Sequence, residues 1–409
     1  MIRVLVPLVV LLAACTTPVE DDAKYGTGPI TFVDGRDTTA GQQVRELVKR
    51  WNERADRRER AVFVEMPTTT DGHRAQLTAR AQDLADVRGG PDCYDVMAVD
   101  MVWTAPFAAA GHLVPLDPAD FEVDRMLPEA VRTATSADGR KLWAVPWRSD
   151  AGLLYYRKDL LAEAGVDPPT TWAELRWQAS TIGRRLGLKG YVAQLGRYEG
   201  LTVNAAEAIW AHQGELEHPD SPQAKDGVRA LADGVAQGWI PREALEYNEI
   251  TSLDEFEAGR ALFMRNWPFA GPRLDGDASQ VKEKWATTKL PGPSALGGWN
   301  LAVSRCSANQ QTARKFIAFV TGVENQRLMA ERAGFAPTLE SLYEEPGLVP
   351  PVLRDSLLTA RARRPSAHYD TLTSVMQESL HHVLRNPDSV TESLDRLAEN
   401  MAEAEQGRR

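Results

Sequence analysis

The sequence predicts an α/β fold split into two lobes or domains, and three observations lead there. Short apolar runs of strand type alternate with helical runs whose apolar residues recur at i, i+3, i+4 and i+7, the pattern of sheets covered by helices. One central stretch, residues 144–161 (AVPWRSDAGLLYYRKDLL), interrupts the alternation, which then begins again. The length, 409 residues, exceeds what a single ordinary core organises.

The first element stands apart from the fold. Arg3 gives a positive start, residues 4–12 are apolar, and Ala13 and Ala14 precede Cys15. The apolar run is too short to span a bilayer and reads as a signal peptide over residues 1–14. Leu12-Ala13-Ala14-Cys15 resembles a bacterial lipobox, which implies cleavage before Cys15 and lipidation of its thiol. The alternative is an ordinary signal peptide with an incidental cysteine. Residues 15–27, with Pro18, Glu20, Asp21 and Asp22, read as a solvated tether.

A strand is expected at 30–33, then a polar loop at 34–39 and a helix at about 40–55, with Val44, Leu47, Val48 and Trp51 as its buried stripe. A strand at 61–66, a helix at 72–87 broken by Gly89-Gly90-Pro91, and a strand at 94–99 follow. This alternation predicts a mostly parallel sheet with right-handed crossovers. Ligands of such sheets bind beyond the carboxyl ends of the strands, where Asp34, Asp37, Asp100 and Trp103 fall. In the central stretch Pro146 stops an apolar run, Arg148-Ser149-Asp150 form a polar joint, and residues 152–156 start a new strand. The joint is either a solvated turn or a crossover between lobes with polar and aromatic groups facing a cleft. Beyond it the pattern gives a helix at 172–186 opened by a capping box at Thr171 and Glu174, a strand at 191–195, a loop at 196–200, and helices at 201–213 and 224–238. A second capping box, Ser252 with Glu255, leads a short helix ending near Gly259. Strands at 260–264, 285–290 and 301–304 and helices at 309–321, 324–333, about 369–384 and 389–404 complete the chain.

Composition narrows the function. Hydrophobic residues at 43% and charged residues at 25% describe a globular chain. A net charge of −10, with no basic block, argues against a nucleic-acid partner. Eleven tryptophans are many for this length, and each indole N–H needs a partner when buried. Cys93 and Cys306 either pair in an exported chain or remain two buried thiols; sequence does not place them within bonding reach. Cys, His and Asp do not cluster at metal-ligand spacing, so no metal site is expected. Neither a nucleophile elbow nor a phosphate-cradling glycine loop is present, so no catalytic residue and no cofactor are expected.

Several motifs, in order, carry a resemblance. They are Cys15 in its lipobox; Tyr94-Asp95-Val96 with Asp100 and Trp103; and Trp143-Ala144-Val145-Pro146 with Leu153-Leu154-Tyr155-Tyr156-Arg157-Lys158-Asp159-Leu160. Pro169-Thr170-Thr171-Trp172, then Phe256-Glu257-Ala258-Gly259-Arg260-Ala261-Leu262-Phe263-Met264 with Trp267, and Gly297-Gly298-Trp299-Asn300-Leu301-Ala302-Val303-Ser304 continue it. Together they resemble the ABC-transporter sugar-binding lipoproteins of the maltose-binding-protein-like class, over nearly all of the mature chain. Arg197-Tyr198-Glu199-Gly200-Leu201-Thr202 and Arg363-Arg364-Pro365 with Tyr369 are most similar to the trehalose-binding lipoproteins of actinobacteria. Arg148-Ser149-Asp150 departs from that branch, where an Asn-containing joint is expected.

The resemblance implies a two-lobed periplasmic-binding-protein-like fold with an interlobe ligand cleft, closing by hinge motion. Its crossings are expected near residues 147–150, 292–298 and 348–352, with lobe 1 at 28–147 plus 298–348 and lobe 2 at 148–297 plus 349–409. The implied partners are a neutral oligosaccharide, trehalose or a related disaccharide first, and the transmembrane subunits of an ABC permease. The chain would work as a monomer held by its lipid at the extracellular face of the cell membrane, without breaking a bond.

A sugar presents hydroxyls that need paired donors and acceptors, and apolar C–H faces that stack on flat rings. Carboxylates, with charge-assisted acceptor strength, and arginine forks beside Trp or Tyr therefore make a sugar site. Trp103, Trp267 and Trp299 lie at strand ends or starts and are candidates for stacking, with core packing as the alternative for each. Asp100 follows a buried strand and is either a ligand contact or an N-cap. Asp150 and Glu199 are expected in loops beside aromatic residues, and Asp37 either reaches the ligand or caps a helix. Gly298 belongs to the binding set through its motif. Among Arg361–Arg364 the resemblance points to Arg364, and Tyr369 either stacks or packs.

Two other readings stay open. A glycoside hydrolase would also use paired carboxylates, whose geometry sequence does not give. A binding protein for a polyamine or an amino acid would use carboxylates and aromatics through cation–π contacts.

Overall fold

The computed structural model describes residues 26–37, 39, 41–67, 69–136 and 138–408. The expected signal peptide, Cys15 and most of the tether lie outside the described residues. The chain enters through β1 (Ile30–Gly35), and the helices Gln43–Arg54 and Thr70–Asp83 lead it to β2 (Ala61–Met66) and β3 (Val96–Asp100). β1 pairs in parallel with both strands, as helical crossovers require. β4 (Val145–Ala151) leaves this lobe, and after Gly152 alone β5 (Leu153–Arg157) starts the second. There β6 (Lys189–Val192), β7 (Ala261–Asn266) and β8 (Trp285–Lys289) complete a sheet before β9 (Leu296–Val303) returns to the first. The strand orders are β2-β1-β3-β9-β4 and β6-β7-β5-β8.

The mostly parallel sheet expected from the alternation is a mixed one. β9 runs antiparallel to β3 and β4, and β5 runs antiparallel to β7 and β8. The cause is topological. β4 leaves the first lobe and its neighbour β9 re-enters it; β5 enters the second lobe and its neighbour β8 leaves it. Strands that depart and return side by side must point in opposite directions.

The passages between lobes shift by a few residues from their expected places. β4 runs through Pro146 and the polar joint to Ala151, and β9 starts at Leu296. The first two passages are therefore Gly152 and residues 290–295. The joint is neither a turn nor the crossover itself but strand, with Arg148 and Ser149 buried and Asp150 half-buried. Pro146 is tolerated because β4 is an edge strand and its register shifts between Pro146 and Arg148. The third passage uses the helix Pro351–Leu358, which packs on both β4 and β8. It continues to Arg361, whose N–H donates to Ser294 and whose C=O accepts from Leu296.

Local chemistry explains most boundaries. The helix Gln43–Arg54 buries Val44, Leu47, Val48 and Trp51, and Trp51 meets Phe316 edge-on at 5.6 Å. Each such side chain contributes about 1.5–3 kcal/mol on burial. The helix Glu249–Glu257 is capped by Asn248, whose Oδ1 accepts from Ile250 N–H (3.0 Å) and Thr251 N–H (2.9 Å). Ser252, expected as that cap, is buried in the first turn and donates back to the Asn248 carbonyl at 2.9 Å. The helix Glu199–Ala211 starts earlier than expected, which moves Glu199 from a loop into a first turn. Cys93 and Cys306 form a disulfide, joining the segment before β3 to the turn after β9. Among the described residues no helix is long and apolar enough to cross a membrane, and no group of His, Cys, Asp and Glu is placed to hold a metal ion.

Candidate ligand cleft between the lobes

The first lobe's wall follows from strand register. Asp100 on β3, Trp299 on β9 and Arg148 on β4 lie side by side. Arg148 reaches across to Asp34 at the end of β1 in a buried two-bond pair, both at 3.1 Å. Its guanidinium lies 4.6 Å from the ring centres of Trp147 and Phe335 and 5.2 Å from that of Trp299. Charge-assisted pairing and ring contact together fix a group that would be costly to bury alone. The partly exposed Trp299 stacks on His73 at 5.2 Å and 17°. Burial first, and then Arg148, push the His73 imidazole down to about 3, so it is neutral throughout the physiological range. Trp103 is 1% exposed and meets His73 and Trp299 edge-on at 5.5 and 5.4 Å. It supports the stack from behind instead of facing a ligand.

The second lobe contributes a polar cluster and a ring. Glu199, buried, accepts from Tyr369 Oη at 2.7 Å, from Thr373 Oγ1 at 2.6 Å and from Arg363. Arg363 also donates to Tyr369 Oη at 3.4 Å and lies 3.9 Å from Asp100 across the lobes. Arg364, expected to reach the cleft, is exposed; its neighbour Arg363, 3% exposed, does so instead. Trp267 stands partly exposed at the end of β7 with the Arg265 guanidinium 3.8 Å from its ring centre. Arg265 is itself held by Glu207 at 2.9 and 2.6 Å. A Cβ on Gly297 would come 2.7 Å from the Trp267 ring, so only glycine lets the lobes approach there. Gly298 has φ +142°, and a Cβ on it would meet the Arg148 carbonyl at 2.3 Å. Its contribution is backbone clearance.

Asp150 pairs in register with Gly297, close to where Trp267 comes down. Its Oδ1 has no hydrogen-bond partner, nor do Ser149 Oγ, His73 Nε2 and Arg363 Nε. Burial raises the Asp150 carboxyl to about 6 against the pull of Arg148. Burial likewise raises Asp100 to about 6, with Arg363 lowering it and Glu199 raising it. Asp100 also caps the turn after β3, accepting from Val102 N–H at 3.1 Å, which is the capping role expected of it. Asp37 does not reach this place. Its Oδ2 accepts from Val44 and Arg45 N–H at 3.0 and 3.2 Å, which caps the helix Gln43–Arg54. The lobes touch again at the mouth, where Arg74 pairs with Asp370 at 2.7 Å.

The structure thus brings together Asp100, Asp150, Glu199, Trp267, Trp299 and Tyr369, with Trp103 and Gly298 behind them. Sequence reasoning missed His73 and Arg363 as members. Chemically the cleft offers two partly exposed indole rings, carboxylate acceptors and unpartnered buried polar atoms.

Comparison with known proteins agrees with this architecture. Residues 37–327 match the model of the family described as bacterial extracellular solute-binding protein. A probable ABC transporter-binding protein of Deinococcus radiodurans is 32% identical over 83% of this chain and 85% of its own length. A mannitol-binding protein of Pseudomonas aeruginosa is 27% identical over 62% of each. The structure of maltose-bound T. maritima MalE3 superposes with a TM-score of 0.84 at 28% identity, covering 91% of this chain and 99% of that one. The chain belongs to the bacterial extracellular solute-binding proteins that serve ABC transporters.

Proposed function

We propose that the protein captures a neutral saccharide or polyol between its lobes and delivers it to an ABC permease by hinge closure, held to the cell membrane through a lipid on Cys15. A disaccharide, trehalose first, is the preferred ligand. The observation that carries the reading is the pair Trp267 and Trp299, one from each lobe, both partly exposed and both beside carboxylates. Two rings facing a cleft can hold the apolar faces of a sugar while Asp100, Asp150 and Glu199 accept from its hydroxyls. The maltose and mannitol of the two relatives named above support the ligand class. The motifs around Glu199 and Arg363 support trehalose within it.

A thermal-shift screen of the chain without residues 1–15 tests the reading, because a ligand of the folded state raises the melting temperature by mass action. A shift with trehalose exceeding that with maltose or mannitol supports the full proposal. A shift with another neutral sugar retains the class and discards trehalose. A cationic solute such as a polyamine is the second reading, favoured by the carboxylates around Trp267 and Trp299. A shift with spermidine and none with any sugar establishes it. Detergent partitioning of the full chain, lost in a Cys15→Ala variant, tests the anchor.

A further inference from the structure

One turn of helix ties the two lobes together at the mouth of the cleft. The first turn of the helix Thr70–Asp83 carries Asp71, His73 and Arg74. His73 stacks on Trp299 inside the first lobe. Asp71 and Arg74 reach the second lobe. Arg74 Nη1 donates to Asp370 Oδ1 at 2.7 Å, and both side chains are partly exposed. The Asp71 carboxylate lies against the backbone N–H of Glu199. That N–H opens the helix Glu199–Ala211, whose own N-cap residue, Tyr198, supplies no side-chain acceptor. The N–H groups of a first turn lack partners within the helix, and a carboxylate suits them both as acceptor and as charge. A second-lobe helix is therefore capped from the first lobe, through a contact that exists only while the lobes are together.

The same contact gathers like charges. Asp71 comes from one lobe, Glu199 and Asp370 from the other. Burial first raises the Asp71 carboxyl, Glu199 and Asp370 raise it further, and Arg74 lowers it. Glu199 is already satisfied by Arg363, Tyr369 and Thr373. Arg74 is then the cation that stands between Asp71 and Asp370. Without it, closing the lobes would bring carboxylates together across the mouth uncompensated. Arg74 also has a second partner within reach. Asp71 precedes it by three residues on the same helix, a spacing that allows pairing whatever the lobes do. Asp370 is reached only when they are shut. The guanidinium therefore has two arrangements, and they differ in whether the lobes are joined.

We propose that Arg74 is the latch of the closed form: its exchange from Asp71 to Asp370 sets the balance between closed and open lobes before any ligand enters. Asp71 serves closure as a cap and opposes it as a competing charge. A ligand that requires closed lobes binds with an affinity scaled by the closed fraction, so this helix turn tunes affinity without touching the ligand.

The experiment is small-angle X-ray scattering of the unlipidated, unliganded chain, whose radius of gyration reads the ratio of closed to open lobes. It needs no ligand, so its outcome is separate from that of the saccharide reading. Arg74→Gln is expected to lower the ratio about fivefold at low salt, the upper value for a partly exposed ion pair, and Asp370→Asn to lower it likewise. Asp71→Asn raises it, because asparagine caps a helix as well as aspartate and leaves the guanidinium to Asp370. Exchanging the charges, Arg74→Asp with Asp370→Arg, returns the ratio toward that of the wild type. Raising NaCl from about 0.05 M to about 0.5 M screens the pair and opens the wild type, a test that depends on no variant. Equal radii of gyration for Arg74→Gln and wild type, whether both are closed or both open, overturn the inference. A wild type indifferent to salt, or an Asp71→Asn variant that opens, overturns it as well.

Discussion

Replacing Asp150 with asparagine should stabilise the unliganded protein, and should do so more at neutral than at acid pH. The carboxyl is raised from its ordinary 3.8 to about 6, first by burial, and its Oδ1 has no partner. In the unfolded chain the proton leaves near pH 4; in the folded chain it stays until about pH 6. The unfolded state therefore binds fewer protons in this window, and stability falls as pH rises through it. A gap of about 2 pKa units corresponds to about 3 kcal/mol of penalty, fully present above about pH 7 and reduced to about 1.5 kcal/mol at pH 5. Asparagine keeps the shape, can still accept from Ala336 N–H, and carries no charge. Asp150→Asn should therefore gain about 3 kcal/mol at pH 7.5 and about half of that at pH 5.0, read from urea unfolding followed by tryptophan fluorescence. An equal gain at the two pH values, or a loss at pH 7.5, would refute the reasoning that an uncompensated charge sits at the cleft floor.

Arg363→Met strands the buried Glu199 carboxylate and should cost about 3–5 kcal/mol in the same unfolding assay, whereas the exposed Arg364→Met should stay within about 0.5 kcal/mol. Replacing Cys93 and Cys306 together with serine opens a loop spanning 213 residues, for which chain entropy gives a loss of about 5 kcal/mol, checked by comparing oxidised wild type with the double variant. Gly297→Ala should displace the Trp267 ring, since the new methyl would sit 2.7 Å from it, and a red-shifted tryptophan emission in the unliganded chain would report the displacement.

What was legible in the sequence was local. The stripe of the helix Gln43–Arg54, the strand that follows Gly152, and the placement of Trp267 just past a strand end all follow from periodicity and punctuation within a dozen residues, whereas Trp299, expected before a strand, lies inside β9. The antiparallel strands were not legible, because they depend on which distant strand lies alongside. The same holds inside the cleft. Asp34 and Arg148 are 114 residues apart in sequence, and nothing near either one marks the pair. His73 lies on a helix without an apolar stripe, so no pattern sets it apart from its exposed neighbours. Arg363 and Arg364 differ by one position within a basic run, and only the packing of the helix Tyr369–Arg385 against the helix Glu199–Ala211 decides which of them turns inward. Asp37 illustrates the converse. Its polar loop at a strand end suits a ligand contact, but the N–H groups of the helix beginning at Gln43 claim its oxygens first.

The central claim is that a saccharide lies between Trp267 and Trp299. The measurement that tests it most directly is a titration of wild type and Trp267→Ala with trehalose, and with maltose in parallel. The account predicts saturable binding to the wild type and a loss of about 1–2 kcal/mol, roughly tenfold or more, in the variant, with the unliganded melting temperature little changed because the ring is partly exposed. Equal affinity in the two proteins would assign Trp267 to packing and remove the ring from the site.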